Sequence, residues 1–318
     1  MVKTVSVIIP TKDRPLDLEL TVESMLQQSI LPTQLIVVDQ SHGVETQKRL
    51  GKLFAEAPFP ARIQLYYVRD STISGLTVAR NCAMQIAPGD IWLFLDDDVC
   101  LEACFIEEIL AVYHRYPQVS GVSGIISNYQ RPSWAYRLWA SIFVRGPFHD
   151  ERQPIYWRAD RLRQAEPIRV GKLTGALMSF RANAIRGRHF DENLRGVCDG
   201  EDVDFCARLG PSAVLVIAPR ARLVHKTSPS GRSQDHWLKR LAQANFYLYD
   251  RNWKKGIGNR LSFLWFNAGL ALVAALASLR AGSLVPWRAL TEGAREGQKV
   301  GTTTSQPARQ LRPRRVDH

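Results

Sequence analysis

The stretch Ile91-Trp92-Leu93-Phe94-Leu95-Asp96-Asp97-Asp98 consists of five apolar residues followed by three consecutive carboxylates. The turn residues Pro88-Gly89-Asp90 precede it, and five residues are too few for an independent helix, so the run predicts a buried strand. Three adjacent carboxylates raise one another's pKa and repel unless positive charge balances them. The stretch therefore joins a core strand to a strongly charged site.

A hard divalent cation is the simplest source of that positive charge. Mg²⁺ and Mn²⁺ take carboxylate oxygens and keep open positions for water and phosphate oxygens. The alternative is a solvated loop rich in Asp. The position favours a metal site, because ligands of open α/β sheets bind beyond the carboxyl ends of the strands.

The chain before this stretch alternates strand and helix patterns. Residues 4–10 and 35–39 are β-prone runs, and apolar residues recur on one helical face after Pro15. Residues 63–68 predict a third strand, and residues 75–87 predict a further helix. Short links between strand, helix and strand require parallel pairing with right-handed crossovers. We therefore predict the first half of a doubly wound, nucleotide-binding sheet.

Two classes of nucleotide-binding protein are not indicated by this half of the chain. It contains no GxxxxGK[ST] loop and no GxGxxG motif, so neither a kinase-like NTPase nor a dinucleotide enzyme is expected. Two strands instead end in carboxylates, at Asp39 and at Asp98. In a parallel sheet both carboxylates would face the same crevice.

An ordered set of motifs over residues 4–225 resembles the family 2 glycosyltransferases with a GT-A fold. In chain order the motifs are Val7-Ile8-Ile9-Pro10-Thr11, Val37-Val38-Asp39, Gly75-Leu76-Thr77-Val78-Ala79-Arg80-Asn81, Asp96-Asp97-Asp98, Thr174-Gly175-Ala176-Leu177-Met178-Ser179-Phe180-Arg181 and Gly200-Glu201-Asp202-Val203-Asp204-Phe205. The resemblance implies an α/β fold with a Rossmann-like, mostly parallel sheet flanked by helices. It also implies an inverting enzyme that uses a nucleotide sugar.

The resemblance assigns the nucleotide base to the ends of the first two strands. Asp39 would accept a hydrogen bond from the imide N–H of uracil or thymine, and Pro10 and Thr11 would line the same pocket. A UDP-sugar or dTDP-sugar is therefore the expected donor. The structural alternative for Asp39 is a strand-end residue that caps the following turn.

The resemblance places the rest of the donor and its metal around the acidic triplet. Arg80 would contact the nucleotide or diphosphate, Asp96 the ribose, and Asp97 would also lie beside the nucleotide sugar. Asp98 and His225 would hold Mg²⁺ or Mn²⁺, for which a neutral imidazole is a suitable ligand. The alternatives are a helix-surface ion pair for Arg80 and a purely structural role for the histidine.

Transfer to a sugar hydroxyl needs a base, because that hydroxyl is a poor nucleophile near neutral pH. A metal would neutralise the leaving diphosphate on the opposite face. The resemblance assigns the base to Asp202, with Glu201 or Asp199 as the other candidates, and places Gly175 and Met178 on the acceptor side. The alternative is that these acids favour the first turn of a helix.

Composition places the chain among globular proteins with a basic tail. The 318 residues are 45% hydrophobic and 23% charged, which predicts one large domain with an appendage. The net charge is +12, and residues 251–318 hold 12 Lys/Arg against 3 Asp/Glu. The five cysteines form no CxxC pair, which indicates reduced thiols. The N-terminus shows no apolar segment of signal-peptide length.

Residues 131–163 differ in character from the rest of the chain. Seven arginines are interleaved there with aromatic residues, namely Trp134, Tyr136, Trp139, Phe143, Phe148, Tyr156 and Trp157. This pattern is compatible with binding single-stranded nucleic acid or with an amphipathic surface helix and loop. The transferase motifs favour an insertion that faces the acceptor or a membrane.

Residues 261–279 form a run of nineteen uncharged residues between Arg260 and Arg280. As a helix the run would be about 28 Å long, which is borderline for crossing a bilayer. A buried helix is the alternative, but the basic and Trp-rich flanks favour membrane association. We predict a GT-A domain at 1–230, a helical membrane-associated segment at 231–290 and a disordered basic tail at 291–318.

These observations predict a metal-assisted glycosyltransferase at the cytoplasmic face of the cell membrane. Its acceptor would be a glycan or a lipid-linked molecule in cell-surface polysaccharide synthesis. A sugar nucleotidyltransferase is a rival, but the early Gly-rich loop followed by Arg and Lys is absent. A nucleic-acid-binding protein is a second rival. The tail position of the excess positive charge argues against it, so no nucleic-acid partner is expected.

Overall fold

The computed structural model describes residues 4–56, 63–194, 200–228, 236–253, 255–300 and 314–315. The strands are β1 (Val5–Thr11), β2 (Gln34–Asp39), β3 (Gln64–Arg69), β4 (Ile91–Leu95), β5 (Val99–Leu101), β6 (Val119–Ile126), β7 (Ile168–Val170), β8 (Leu177–Arg181), β9 (Val214–His225) and β10 (Arg314–Arg315). The helices are α1 (Pro15–Leu26), α2 (Glu45–Glu56), α3 (Leu76–Ile86), α4 (Phe105–Arg115), α5 (Trp134–Phe143), α6 (Arg152–Trp157), α7 (Ala182–Ile185), α8 (Glu201–Leu209), α9 (Trp237–Asn252), α10 (Ile257–Ala281) and α11 (Val285–Val300).

The described strands form one sheet in the order β10-β3-β2-β1-β4-β8-β6-β9-β5, with β7 beside β9. Strands β3, β2, β1 and β4 run parallel to one another, and helices α1, α2 and α3 make the crossovers between them. Helix α1 buries the predicted apolar stripe, including Leu18, Val22 and Met25. The predicted strand and helix order of this half is confirmed. Helix α2 was not predicted, because it buries only Thr46 and two apolar residues.

The second half of the sheet is mixed. Strand β8 lies antiparallel between β4 and β6, and both β5 and β7 run antiparallel to β9. The sheet as a whole is therefore mixed, whereas a mostly parallel sheet was expected. The register between β6 and β9 is irregular between Ser123 and Ile125, where β9 carries extra residues that include Pro219. Proline lacks the N–H that a regular ladder requires, which suits it to this bulge.

Both faces of the sheet are covered, and each carries its own hydrophobic core. Along β4, Leu93 and Leu95 belong to one core, whereas Trp92 and Phe94 belong to the other. Full burial of such a side chain contributes about 1.5–3 kcal/mol to folding. This two-sided burial explains why the strand appears in the sequence as a continuous apolar run instead of an alternating one.

The insertion at 131–163 packs against the C-terminal helices. The indole N–H of Trp139 on α5 donates to the carbonyl of Gly269 on α10 at 3.0 Å. A side chain at Gly269 would overlap Phe143, so glycine allows the two helices to touch. Helix α11 extends to Val300, so the predicted start of a disordered tail at 291 was wrong and falls inside a helix. Residues 301–313 and 316–318 lie outside the described residues.

Helix α10 is long and apolar enough to cross a membrane, judged by length and composition, and 28% of its apolar stretch is buried inside the protein. Its inner side is buried at Phe266, Gly269 and Leu270. We call its outward side, together with that of α5, the apolar outer face. The large exposed residues of this face are Trp134, Leu138, Ile142, Leu261, Leu264, Trp265, Leu272, Leu276 and Leu279.

The described cysteines are free thiols. Burial raises the pKa of Cys82 to about 11 and that of Cys206 to about 12, so both thiols remain protonated. Cys100 and Cys104 are more accessible. Cys198 lies outside the described residues. The fold therefore contains no disulfide among the cysteines that the structure describes.

Helices α9 and α11 come into direct backbone contact at Gly293 and Gly297. A Cβ at Gly293 would overlap the carbonyl oxygen of Lys239, and one at Gly297 would overlap that of Gln243. We expect Gly293→Ala to lower the free energy of unfolding by about 1–3 kcal/mol, because the helices must move apart. Denaturant titration of the purified full chain measures this change.

The control is the same substitution at Gly51, an exposed position in α2 where an added Cβ would meet no atom within 4 Å. There Gly51→Ala should raise the free energy of unfolding by about 0.5–1 kcal/mol, because alanine favours a helix. Effects of the same sign in the two variants would contradict the close approach of α9 and α11.

Candidate active site

The carboxyl ends of β1, β2 and β4 lie side by side at one edge of the sheet. The register places Thr11 beside Asp39, and β4 runs parallel to β1 on its other side. The acidic triplet at 96–98 directly follows β4. The parallel pairing therefore collects the sequence-predicted base-binding and metal-binding residues at one edge.

Asp96, Asp98 and His225 form a compact group whose ligand atoms all lie within 4.8 Å of one another. Nε2 of His225 is 2.9 Å from Oδ1 of Asp98 and 4.0 Å from Oδ2 of Asp96. Strand pairing explains the approach, since β5 and β9 place Val99 opposite His225. The imidazole is thereby carried to the end of the acidic triplet.

This group fits a divalent cation. Oδ1 of Asp98 is buried and lies beside the His225 ring. Oδ2 accepts from the backbone N–H of Ser228 at 2.8 Å, which fixes the carboxylate. Burial favours the neutral acid, but His225, Ser228 and Arg14 outweigh it and lower the pKa of Asp98. Two carboxylates and an imidazole are a donor set that Mg²⁺ or Mn²⁺ accepts.

Asp97 turns away from this group. Its carboxylate accepts from the Thr11 hydroxyl at 2.7 Å and from Nη1 of Arg14 at 3.0 Å. Burial raises the pKa of Asp97 to about 6, although Thr11 and Arg14 oppose the shift. Arg14 was not predicted as a site residue. The sequence did allow this prediction, because the loop after β1 must lie beside the residues that follow the parallel strand β4.

Asp39 is fully buried at the end of β2. Its Oδ2 accepts from the hydroxyl of Tyr67 at 2.6 Å and its Oδ1 from the backbone N–H of Ser41 at 2.9 Å. The second bond is the turn cap that was the structural alternative for this residue. Thr11 and Pro10 lie next to it on β1. The predicted base-pocket residues are therefore neighbours.

Arg80 is fully buried on α3 and joins two parts of the site. Nη2 lies 3.3 Å from Oδ1 of Asp96 and donates to the carbonyl of Gly175 at 2.9 Å. Nη1 donates to Oε1 of Glu201 at 3.0 Å. The guanidinium also lies 5.3 Å from the centre of the Phe190 ring. It pairs with acids, as the structural alternative required, but in the interior and not on a helix surface.

Asp202 is held by partners from three segments. Its Oδ2 lies 2.9 Å from Nη1 of Arg152 and accepts from the N–H of Gly175 at 3.1 Å. Its Oδ1 accepts from the N–H of Val203. Burial, followed by the charge of Asp202, raises the pKa of the adjacent Glu201. The third base candidate, Asp199, lies outside the described residues.

Arg152 belongs to the insertion and was not predicted as a site residue. Besides Asp202, it pairs with Asp150, whose carboxylate accepts hydrogen bonds from Nε and Nη2 of Arg152, each at 2.9 Å. No pattern in the sequence near Arg152 indicates where the insertion folds, so this contact had no sequence signal.

The two residues expected on the acceptor side differ in position. Gly175 lies in the site, and a Cβ there would come within 2.8 Å of Oε1 of Glu201. Met178 is fully buried on β8 opposite Phe94 and belongs to a hydrophobic core. Its assignment to the acceptor side is corrected, because its side chain reaches no open surface.

The model of the family described as glycosyl transferase family 2 matches residues 6–184. This chain belongs to that family. The matched residues include the acidic triplet and Arg80. Asp202 and His225 lie beyond the matched range, so their assignment rests on the geometry and the sequence motif.

Two curated relatives are similar in sequence. The succinoglycan biosynthesis protein ExoM of Rhizobium meliloti is 28% identical over 206 residues, which cover 64% of this chain and 60% of that protein. An uncharacterized glycosyltransferase of Haemophilus influenzae is 28% identical over 115 residues, which cover 36% of each protein. The chain therefore spans about three fifths of the first relative's length and about a third of the second's.

Solved structures show the same fold. The mannosyltransferase PcManGT from Pyrobaculum calidifontis, in complex with GDP-Man and Mn²⁺, superposes with a TM-score of 0.56 at 19% identity, covering 95% of this chain and 87% of that one. GalNAc-T7 with UDP, GalNAc and Mn²⁺ gives a TM-score of 0.54 at 17% identity, covering 85% of this chain and 57% of that one. The expected GT-A fold class is confirmed.

We expect the adjacent acids Asp98 and Asp97 to differ in their contribution to metal binding. We expect Asp98→Asn to weaken Mn²⁺ binding by more than about 100-fold, since even partners that only support a ligand contribute about 10–100-fold. Asp97→Asn is the matched control and should keep the affinity, because Asp97 faces Thr11 and Arg14. Calorimetric titration with Mn²⁺, without nucleotide, measures both. Equal losses in the two variants would contradict the assigned ligand set.

Arg80 forms a buried ion pair with Glu201, and Arg115 forms an exposed ion pair with Glu166. We expect Arg80→Met to lower the free energy of unfolding by about 3–5 kcal/mol, because it leaves buried carboxylates without a cation. Arg115→Met breaks the exposed pair with Glu166 and should leave the free energy of unfolding nearly unchanged, because solvent screens that pair. Adding Glu201→Met to Arg80→Met should recover part of the loss. Urea unfolding measures all three variants, and similar losses for the two single variants would refute the buried network.

Proposed function

We propose that this protein transfers a glycosyl group from a nucleoside-diphosphate sugar to a hydroxyl of an acceptor, with inversion at the anomeric carbon. The contacts of Arg80 carry this proposal. Its guanidinium reaches Asp96 of the candidate metal group and also Glu201, the neighbour of Asp202. The side chain of Arg80 therefore connects the proposed site for the leaving diphosphate with the segment that carries the proposed base. Family membership supports the class of reaction.

The proposed donor is a UDP-sugar or dTDP-sugar. Its base would lie against Asp39, Thr11 and Pro10, where a buried carboxylate can accept the imide N–H of uracil or thymine. The two similar structures contain GDP-Man in one case and UDP in the other. The choice of a pyrimidine therefore rests on Asp39 itself. Arg80, Asp96 and Asp97 would contact the rest of the nucleotide sugar.

Asp96, Asp98 and His225 are the proposed ligands of Mg²⁺ or Mn²⁺. A divalent cation supplies positive charge that stabilises a departing diphosphate. The protein contributes the fixed orientation of Asp98, whose Oδ2 is held by the N–H of Ser228. Both similar structures contain Mn²⁺.

Asp202 is the proposed general base. The acceptor proton would pass to its carboxylate while the acceptor oxygen bonds to the anomeric carbon and the bond to the diphosphate breaks. Arg152 and the N–H of Gly175 hold this carboxylate in one orientation. Glu201 is the second candidate, but its ion pair with Arg80 favours a positioning role.

The acceptor and the location are also proposals. The relative from Rhizobium meliloti is named a succinoglycan biosynthesis protein, which supports a role in polysaccharide assembly on a glycan or lipid-linked acceptor. The apolar outer face and its flanking arginines support attachment to the cytoplasmic face of the membrane. In this proposal residues 1–230 form the transferase domain and 231–290 the membrane-associated segment.

Asp202→Asn tests the base. Asparagine keeps the size of the side chain but cannot take the proton, so the transfer rate constant should fall by about 10²–10⁴-fold. Donor affinity should stay near that of the unsubstituted protein, because Asp202 would act on the acceptor. Rapid-quench turnover with Mn²⁺ and a panel of UDP- and dTDP-sugars gives the rate, and calorimetry gives the affinity. Glu56→Gln, on the exposed end of α2, is the control.

Two results would reject parts of this proposal. A variant Asp202→Asn that transfers at the normal rate would remove Asp202 from the base role and direct the same test to Glu201→Gln. An unsubstituted protein that binds no nucleotide sugar in the panel would reject the donor. The anomeric configuration of the product, read by NMR, tests inversion directly.

A further inference from the structure

A large cavity lies between the insertion and the C-terminal helices, apart from the candidate metal group. Its volume is about 1200 Å³, and its walls come from α5, the segment 148–157, the start of α9 and the second half of α10. The lining is mainly apolar and aromatic, including Trp139, Phe148, Trp157 and Leu270. Sites for drug-sized ligands usually measure about 300–1,000 Å³. The cavity is therefore large enough for a long hydrocarbon chain.

Three arginines also line this apolar cavity, namely Arg137, Arg145 and Arg280. None of them forms an ion pair with a carboxylate of the described residues, in contrast to Arg80 and Arg152. Within those residues the acid on the cavity wall is Asp150, and Arg152 already binds it in a bidentate pair. The cavity thus combines apolar walls with unbalanced positive charge, which complements an amphiphile with an anionic head.

The opening of the cavity adjoins the apolar outer face. Leu276 is 51% exposed and belongs to both, and the exposed residues Tyr136 and Trp237 line the same cavity. Arg280 lies one turn of α10 beyond Leu276. A chain that leaves a bilayer along α10 could therefore enter the cavity without crossing a polar surface.

The inner wall of the cavity leads to the proposed base. Asp150 lines the cavity and binds Arg152, and Nη1 of Arg152 lies 2.9 Å from Oδ2 of Asp202. A molecule whose chain fills the cavity would have its polar end near this ion-pair chain. The cavity and the proposed catalytic site are thus separated by two side chains.

We propose that this cavity binds the hydrocarbon chain and phosphate of a lipid-linked acceptor, with the phosphate on Arg137 and Arg145. The assignment rests on the proposed function, because it supplies the acceptor of that transfer. It commits to a single-chain lipid phosphate and not to bulk membrane phospholipid. The glycan end of the acceptor would point toward Asp202.

Photo-crosslinking tests this assignment without nucleotide sugar or metal. The full chain is bound to neutral phosphatidylcholine vesicles that contain hexadecyl phosphate with a diazirine near the chain end. After illumination, cross-linked peptides are mapped by mass spectrometry. We expect the cross-links on the cavity walls of α5, segment 148–157 and α10. Unlabelled dodecyl phosphate should suppress them, whereas equal amounts of dodecyl glucoside, inorganic phosphate or phosphatidylglycerol should not.

Two variants separate phosphate recognition from chain binding. The double change Arg137→Gln and Arg145→Gln should reduce cross-linking by about tenfold, since charge-assisted hydrogen bonds to the phosphate are lost. Ala277→Trp should reduce it by filling the cavity. Arg115→Gln, in the exposed pair with Glu166 away from this cavity, is the matched control and should change nothing. Circular dichroism confirms that each variant is folded.

Several outcomes would overturn the assignment. Cross-links outside the cavity, or unchanged labelling in both variants, would show that the chain binds elsewhere. Equal competition by dodecyl glucoside would show apolar binding without phosphate recognition, and equal competition by phosphatidylglycerol would show a site for bulk lipid. Transfer to a soluble glycan without cavity labelling would reject this acceptor site and keep the transferase. Cavity labelling without detectable transfer would keep the lipid phosphate site and reject its role as an acceptor site.

Discussion

Repulsion among the three carboxylates at 96–98 is the constraint on which the rest of the site depends. The strand before them is buried on both faces, so the acids cannot spread into solvent. They turn to different partners: Arg14 from the loop after β1, Arg80 from α3 and the imidazole of His225 from β9. Each partner comes from a different element of the fold. Balancing the triplet therefore brings together the elements that form the candidate active site.

Arg80 shows why such a network is retained in the interior. A buried ion pair contributes little net stability compared with apolar side chains of similar size, because desolvating the charges offsets their attraction. It does fix geometry, since Arg80 has directed contacts to Asp96, Glu201 and the carbonyl of Gly175. Gly175 in turn holds Asp202 through its N–H. The network thus sets the position of the proposed base relative to the candidate metal group, which is what a displacement reaction requires.

The parts of the site that follow from local pattern could be predicted from the sequence, and the parts that depend on packing could not. Strand-end acids such as Asp39 follow from apolar runs with a carboxylate at the end. Arg14 could also have been predicted, because the parallel pairing of β1 and β4 determines which residues lie beside it. Met178 was misplaced because a strand buried on both faces carries no alternation that separates inside from outside. Arg152 depends on how a long insertion folds back, and no local pattern encodes that.

The packing of α10 bears on how the proposed membrane attachment would work. Its inner side, at Gly269 and Leu270, is occupied by the protein, and the indole of Trp139 donates a hydrogen bond to it. A helix that crossed the bilayer on its own would lose this packing and leave the apolar side of α5 uncovered. A helix that lies along the membrane surface keeps it and places the apolar outer face in lipid, with Arg260 and Arg280 at headgroup level. The contact between α5 and α10 therefore favours attachment in the plane of the membrane, and this orientation also turns the opening beside Leu276 toward the lipid.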